Sequence, residues 1–287
     1  MTMRTITAVF GVLAALVGAT SAPAQLVAAK DGPVVYGHHH LTVTSVDAHR
    51  TFWVEALGGR AAKLGTGEAF VFHNVIVLVR PGTPSGGTKG TSVNHVGFGV
   101  PDLRAAVDRV KAAGYPIVTR AELPASQEVK NDLAFIANQN TSVAFVMGPD
   151  DAKVELVEVK GQAAPVALHH IHHYTPQVDA MKAWYVQMLG ARGGMRGSFQ
   201  AADLPGVNLT FSPAPEGVAP TKGRVLDHVG YEVKDLEAFC RRLEAAGVTF
   251  DRPYTKNAAL GLGLAFFTDP FGTYVELTEG LDAAVKR

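Results

Sequence analysis

The chain has 287 residues, and its 26 basic and 26 acidic side chains leave a formal charge of zero. That balance offers no basic surface for nucleic acid or anionic lipid, while a 47% hydrophobic content is ample for a folded core. A single cysteine, Cys240, excludes an internal disulfide, so stability must come from burial.

Residues 1–24 have the layout of a secretory signal peptide. Arg4 precedes an apolar run from Ile6 to about Val17, and Ala22-Pro23-Ala24 forms an A-x-A-type cleavage site before Gln25. The run is too short for a comfortable membrane span, although an uncleaved N-terminal anchor is the alternative. The residue immediately after the site is Gln25 and not a cysteine, which argues against a lipoprotein anchor. The leader carries Arg4 alone, so the mature chain would have a charge of −1. The expected location is periplasmic or extracellular.

A short strand at about 36–44 leads into an amphipathic helix at about 46–57, which ends at Gly58-Gly59. Strand-like runs follow at 69–73 and 75–80, then a Gly/Pro-rich crossing, "PGTPSGGTKG". A strand at 94–100 precedes a helix at 102–113, whose stripe is Leu103, Val107 and Val110 and whose stop is Gly114. A last strand covers 154–159, and 161–167 reads as a linker. The chain then repeats itself. "SVDAHRTFWVEALGGR" (45–60) matches "QVDAMKAWYVQMLGAR" (177–192), which pairs Asp47 with Asp179 and His38 with His170. "TKGTSVNHVGFGVPDLRAAVDRVKAAGYP" (88–116) matches "TKGRVLDHVGYEVKDLEAFCRRLEAAGVT" (221–249), and "GPDDAKVELVE" (148–158) matches "DPFGTYVELTE" (269–279). About a dozen residues are missing from the second copy near the counterpart of 120–140. Each copy is itself two β-α-β-β-β units, which gives four units and an α+β class. Cys240 falls in the spacing Leu236, Phe239, Cys240, Leu243 and is read as a core residue.

Strand alternation places His38 and His40 on one face, and His170 and His172 likewise. His95 and His228 open the second unit of each copy. Glu155 and Glu276 each sit between apolar strand neighbours, where burial is costly unless the carboxylate is paired or ligated. Two imidazoles and one carboxylate make a three-point site with open positions, suited to Fe(II), Mn(II), Zn(II) or Ni(II). The bland alternative for each residue is a hydrogen-bonded core histidine or a solvent-facing glutamate. His39 points away from His38 and is read as a surface residue, whereas His169 and His173 receive no role.

The layout resembles the vicinal oxygen chelate (VOC) superfamily, which includes glyoxalase I, extradiol dioxygenases, fosfomycin-resistance proteins and methylmalonyl-CoA epimerase. The resemblance rests on "H-x-x-L-x-V … F-W-x-x-x-L-G" (38–58), "H … W-Y-x-x-x-L-G" (170–190), "NHVGFGV-x-DL" (94–103), "DHVGYEV-x-DL" (227–236) and "DP-x-G-x-x-x-EL" (269–277). It covers about 36–280 and implies two tandem domains, 36–160 and 168–280, each with a cup-shaped mixed sheet around a divalent metal. Carried over residue by residue, it implies the ligands His38, His95 and Glu155 in the first domain and His170, His228 and Glu276 in the second. His40 and His172, on the same faces, become fallback first ligands or catalytic candidates that move a proton. The fourth, glutamate ligand of glyoxalase I falls here at Val77 and Leu209. The tyrosine of extradiol dioxygenases falls at Phe266 and Phe145, and their acid/base histidine falls near Asn208, with His73-Asn74 in the first copy.

The resemblance therefore implies an exported, metal-dependent lyase or isomerase whose small substrate is chelated through adjacent oxygens. Lys89 and Lys222 are either anion-binding residues or solvated loop lysines. An extradiol-type ring-cleaving dioxygenase and a non-enzymatic small-molecule binding protein are the alternatives. No nucleic-acid partner is implied, nor a membrane partner once the leader is removed. The units could pair within one chain or across a homodimer.

Overall fold

A computed structural model describes residues 34–286, so the leader and its cleavage site lie outside the described residues. Unit 1 consists of β1 (Val34–Val43), α1 (Val46–Arg50), β2 (Arg60–Leu64), β3 (Gly67–Val71) and β4 (Ile76–Pro81). Unit 2 consists of β5 (Val93–Val100), α2 (Leu103–Ala112), a short α3 (Thr119–Glu122), β6 (Ala134–Ile136), β7 (Thr141–Met147) and β8 (Lys153–Glu158). Unit 3 consists of β9 (Ala167–Thr175), α4 (Val178–Leu189), β10 (Arg192–Arg196), β11 (Phe199–Leu204) and β12 (Val207–Pro213). Unit 4 consists of β13 (Leu226–Val233), α5 (Leu236–Ala245), β14 (Phe250–Asn257), β15 (Leu262–Thr268) and β16 (Tyr274–Glu279). The tail adds α6 (Leu281–Ala284) and β17 (Val285–Lys286). No helix among the described residues is long and apolar enough to cross a membrane.

The helices begin and end where local chemistry dictates. The Asp102 carboxylate caps α2 by accepting from the Ala105 N–H, and Asp235 caps α5 through the Ala238 N–H. Gly114 and Gly247 follow these helices at φ +87° and +93°, a backbone state that costs glycine little. Cys240 is buried on α5 beside Leu236, Phe239 and Leu243, as the spacing requires. The helix expected at 46–57 divides. After α1, residues Thr51–Ala56 widen into a π turn, with the Leu57 N–H donating to the Phe52 carbonyl. Tertiary packing accompanies the widening, because the Phe52 ring fills the space over Gly148, where a Cβ would meet it at 2.7 Å.

The sheets do not follow the boundary between the two copies. One has the order β14-β15-β16-β13-β1-β4-β3-β2-β17 and joins unit 4 to unit 1. The other has the order β10-β11-β12-β9-β5-β8-β7-β6 and joins unit 3 to unit 2. The joins are antiparallel, β1 on β13 and β9 on β5, with His40 opposite His228 and His172 opposite His95. All four units pair within one chain. We call the sheet of units 2 and 3 the central cup, and that of units 1 and 4 the terminal cup.

Alternation sorts the strands into two faces. Val96 and Phe98 of β5, Ile171 of β9, Val229 and Tyr231 of β13, and Leu41 of β1 enter one large core together with the helices. Because that face is covered, His39 cannot be a surface residue: it is fully buried, and its Nδ1 lies 2.6 Å from the Tyr36 hydroxyl. His173 is equally buried and stacks on Phe211. The opposite faces form the two cups.

Candidate metal and substrate site

The antiparallel joins assemble two clusters of ligand-type side chains among the described residues. One comprises His95, Glu155, His170 and His172, and the other His38, His228 and Glu276, with one candidate ligand atom from each residue within 4.8 Å of the others. All six side chains read from the sequence as ligands are thus brought together, but not in the grouping by copy. His38 meets His228 and Glu276, while His95 and Glu155 meet His170. Each β1-type strand donates its histidines across the join to the other copy, because β1 pairs with β13 and β9 with β5. Two glycines make this possible. The His170 ring lies over Gly97 and the His38 ring over Gly230, and a Cβ at either glycine would fall onto that ring.

In the central cup, His95 Nε2 and His170 Nε2 each lie 3.0 Å from the same oxygen, Glu155 Oε2. Burial opposes the charge on Glu155, but the His170 and His95 imidazoles outweigh it and hold the carboxylate well below its ordinary range. Burial, followed by nearby charges, keeps His170 and His172 neutral. The side-chain oxygen of Asn94 lies 3.0 Å from His95 Nδ1. With Nδ1–H donating there, the Nε2 lone pair faces the cluster. His172 Nε2 is 2.8 Å from the Ser212 hydroxyl. The buried His172 Nδ1 has no hydrogen-bond partner, and His170 Nε2 meets only the Glu155 carboxylate. Lone pairs facing a carboxylate, with an unpartnered nitrogen beside them, form an electron-rich pocket that fits a divalent cation. His172, read from the sequence as a fallback ligand or a catalytic base, stands within this donor set.

In the terminal cup, His38 Nε2 and His228 Nε2 each lie 2.9 Å from Glu276 Oε2. His228 Nδ1 lies 2.7 Å from Asp227 Oδ1, where the central cup has Asn94. Burial disfavours charge on His228, yet Asp227 and Glu276 outweigh it and raise the imidazole above its usual range. His40, the other catalytic candidate, packs 4.7 Å from the His228 ring, and burial with the neighbouring histidines lowers it to about 3.

The surroundings of the two clusters differ sharply. The central cup contains a cavity of about 550 Å³ bordered by Arg196, Asp203, Asn208, His169, Asn140 and Val157. The Arg196 Nη1 donates to Thr210 Oγ1 (3.1 Å), Thr210 Oγ1 donates to Asn208 Oδ1 (2.7 Å), and Asn208 Nδ2 donates to Asp203 Oδ1 (2.7 Å). Burial, then the Arg196 charge, lowers His169 to about 4. At the equivalent positions the terminal cup carries Leu64, Val71, Ile76 and Leu78. These side chains pack with Leu262, Leu264 and the tail residues Leu281 and Val285 in an apolar cluster that fills the cup. β17 extends the sheet through Val285 opposite Leu64. Glu232 pins the turn into α6: its carboxylate accepts from the Gly280 N–H (2.5 Å) and the Thr278 hydroxyl (2.7 Å).

Other sequence expectations are corrected by position. Val77 and Leu209 point into the large core, so neither occupies a ligand position. The inward residues beside the histidines are Ile76 and Leu78 on β4 and Asn208 and Thr210 on β12, so no carboxylate from these strands joins either cluster. Phe145 and Phe266 stand edge-on to His95 and His228. His73 is exposed, and Asn74 instead bonds the backbone of Leu168 and Gly206. Lys89 pairs with Glu122, and Lys222 with Asp251 and the face of Tyr274, so both are surface ion-pair residues. Lys153, on the face of Glu155, is paired with Glu122. A cation bordering the central cavity is Arg196, which motif and period do not single out. Its one signal in the sequence is the replacement of Leu64 by a charge at the matching position of the second copy.

Comparison with known proteins agrees with this geometry. The sequence profile of the Glyoxalase/Bleomycin resistance protein/Dioxygenase superfamily matches residues 35–128 and 167–277. A probable lactoylglutathione lyase of Vibrio parahaemolyticus is 28% identical over 141 residues, covering 44% of this chain and 92% of that protein. Among solved structures, glyoxalase I from Zea mays superposes with a TM-score of 0.67 at 17% identity, over 87% of this chain and 94% of that one. A putative dioxygenase from Bacillus subtilis gives 0.65 at 14% identity, over 85% and 84%. At these identities the structural matches speak to the fold alone.

Proposed function

We propose, on the premise that the chain belongs to the Glyoxalase/Bleomycin resistance protein/Dioxygenase superfamily, that it is a divalent-metal-dependent lyase or isomerase working from its central cup. The observation that carries this reading is the asymmetry between the cups. Both clusters are buried, but the strands next to the four-residue cluster border a polar cavity, while the strands next to the other carry aliphatic side chains packed against the chain's own tail. His95, Glu155 and His170 would hold the ion, with His172 completing the donor set or acting on substrate beside it. A divalent ion there would polarise two neighbouring substrate oxygens and stabilise negative charge developing on them.

The protein's own groups then have separable tasks. Asn94 orients His95, and Ser212 orients His172, so the ring nitrogens that face the cup are fixed before substrate arrives. Phe145 walls the cluster on one side and limits water there. A proton taken from a substrate carbon needs a nearby acceptor, and the unpartnered His172 Nδ1 is the candidate. The similarity to a probable lactoylglutathione lyase makes adducts of 2-oxoaldehydes with thiols the first substrates to screen. The test is turnover of such adducts by metal-free and reconstituted protein, with oxygen uptake recorded alongside. Turnover restored by metal without oxygen consumption supports the reading. Equal turnover by the metal-free protein overturns it, and metal-dependent oxygen uptake with catechols would favour a dioxygenase. We also propose that the protein is exported, on the strength of the leader at 1–24. A mature N-terminus at Gln25 in the exported fraction would support this, and a chain confined to the cytosol with Met1 intact would overturn it.

A further inference from the structure

The central cup holds one charged group that neither the ligand cluster nor the fold accounts for. Arg196 ends β10 at the rim of the cavity. A guanidinium carries five N–H donors, and the hydrogen bond seen for Arg196 goes to a neutral hydroxyl, Thr210 Oγ1. Among the described residues no carboxylate lies within 4.0 Å of it. The other acids at the cavity have basic partners. Asp203 stands 3.5 Å from Arg192, and Glu158 stands 4.0 Å from Lys160. Glu155, whose charge reaches Arg196, is engaged by His95 and His170. A partly desolvated guanidinium with a neutral partner is a standing cost to the fold unless something anionic meets it.

The polar row that supports it is built to keep it in place. Thr210 and Asn208 lie beside His172 and His170 on the neighbouring strand, so Arg196 is tied to the strand that flanks the ligand histidines. The terminal cup shows what this sheet looks like without such a task, with four aliphatic residues at the positions of Arg196, Asp203, Asn208 and Thr210. A planar fork with free donors at the edge of a cavity matches a carboxylate, which it can take in two parallel hydrogen bonds.

We propose that Arg196 binds the carboxylate of the substrate. The central cup would then select small anionic molecules that present adjacent oxygens at one end and a carboxylate at the other. This rests on the reading of the central cup as the working site, and the experiment separates the two.

The full-length protein is loaded with Zn(II) and titrated with 3,4-dihydroxybenzoate and with its neutral methyl ester. Both probes carry adjacent oxygens, and they differ in the anionic group. Wild-type protein is expected to bind the acid about ten- to a hundredfold more tightly than the ester, the range of a charge-assisted pair. Arg196→Gln should remove that preference by weakening the acid alone, and Arg196→Lys should restore part of it. Arg196→Leu, which copies the terminal cup, serves as a second neutral variant. Equal affinities in the wild type, no binding of the acid, or a preference that survives in both neutral variants would overturn the proposal. Metal content is measured on the same samples against Glu155→Ala. Unchanged metal in Glu155→Ala would defeat the metal-site reading, while an Arg196-dependent preference for the acid would still stand.

Discussion

The two cups of this protein share a backbone plan and a His-His-Glu cluster, yet their interiors differ in kind. In the central cup Arg196, Asp203 and Asn208 border a cavity, and Thr210 links Arg196 to Asn208. In the terminal cup the same places carry Leu64, Val71, Ile76 and Leu78, and the tail closes over them. The clusters alone would not separate a working site from a buried remnant, since each satisfies the same ligand chemistry. The side chains one to three strands away distinguish the surroundings of the two clusters. A buried aliphatic side chain contributes roughly 1.5–3 kcal/mol to stability, so the filled cup supports the fold where the polar cup gives that up.

The largest test of this contrast is a pair of carboxylate deletions. Glu155→Ala should lose metal and lower turnover by at least about a hundred- to a thousandfold, whereas Glu276→Ala should leave turnover within roughly threefold. The reverse pattern, read from metal content and steady-state rates, would exchange the roles of the cups. Next comes the plug. Leu281 is fully buried among Val71, Ile76 and their neighbours. Leu281→Ala should therefore cost about 2–5 kcal/mol in denaturant unfolding with little change in turnover. A loss of activity as large as that of Glu155→Ala would show that the tail serves catalysis.

A smaller effect concerns acid–base balance on the terminal-cup side. Asp269 is buried with the Tyr185 hydroxyl 2.9 Å from Oδ2 and accepts the Phe271 and Thr273 N–H groups at Oδ1. Burial, only partly offset by these bonds, pushes its carboxyl up to about 6. The folded protein thus holds a proton that the unfolded chain has released above about pH 4. Stability from this group is present below that value and falls as pH rises towards 6, by up to about 3 kcal/mol. Glu155 and Glu276, whose carboxyls are lowered, act in the opposite sense at lower pH. The informative quantity is therefore the difference between wild type and Asp269→Asn, which should shrink Asp269's share of the decline between pH 4 and 6. Parallel curves for the two proteins across this window would remove the assignment. The smallest expected effect is that of Lys89→Ala and Lys222→Ala, whose surface pairs should be worth within about 1 kcal/mol and whose loss should leave turnover unchanged. A rise in KM for either would return these lysines to the substrate.

Much of the candidate site is legible in the sequence itself. Glu155 and Glu276 stand out because each sits between apolar strand neighbours, and His38, His95, His170 and His228 because they recur at matching strand positions of the two copies. Gly97 and Gly230 are equally visible, two residues after a histidine in each copy, but nothing local reveals that a ring from another unit must lie across them. The same holds for Arg196. Comparison of the copies exposes its exchange with Leu64, yet only strand pairing shows that it borders the cavity. His39 escapes a sequence reading for a related reason. Alternation states that it opposes His38, but whether that opposite face meets water depends on the helices and strands packed over it.

The chain alone dictates its four units, the strand and helix periods, the caps and stops of the helices, and the set of side chains able to bind metal. These depend on spacings of a few residues, which local sterics and hydrogen bonding read directly. The pairing of units 1 with 4 and 2 with 3, the separation of six candidate ligands into two clusters, and the filling of one cup by the tail come from the tertiary structure. Each depends on contacts between strands far apart in sequence, and alternation is equally well satisfied by pairing within a copy or across copies. Long-range packing selects between them, and in doing so it leaves one cup with a polar cavity and the other lined by aliphatic side chains.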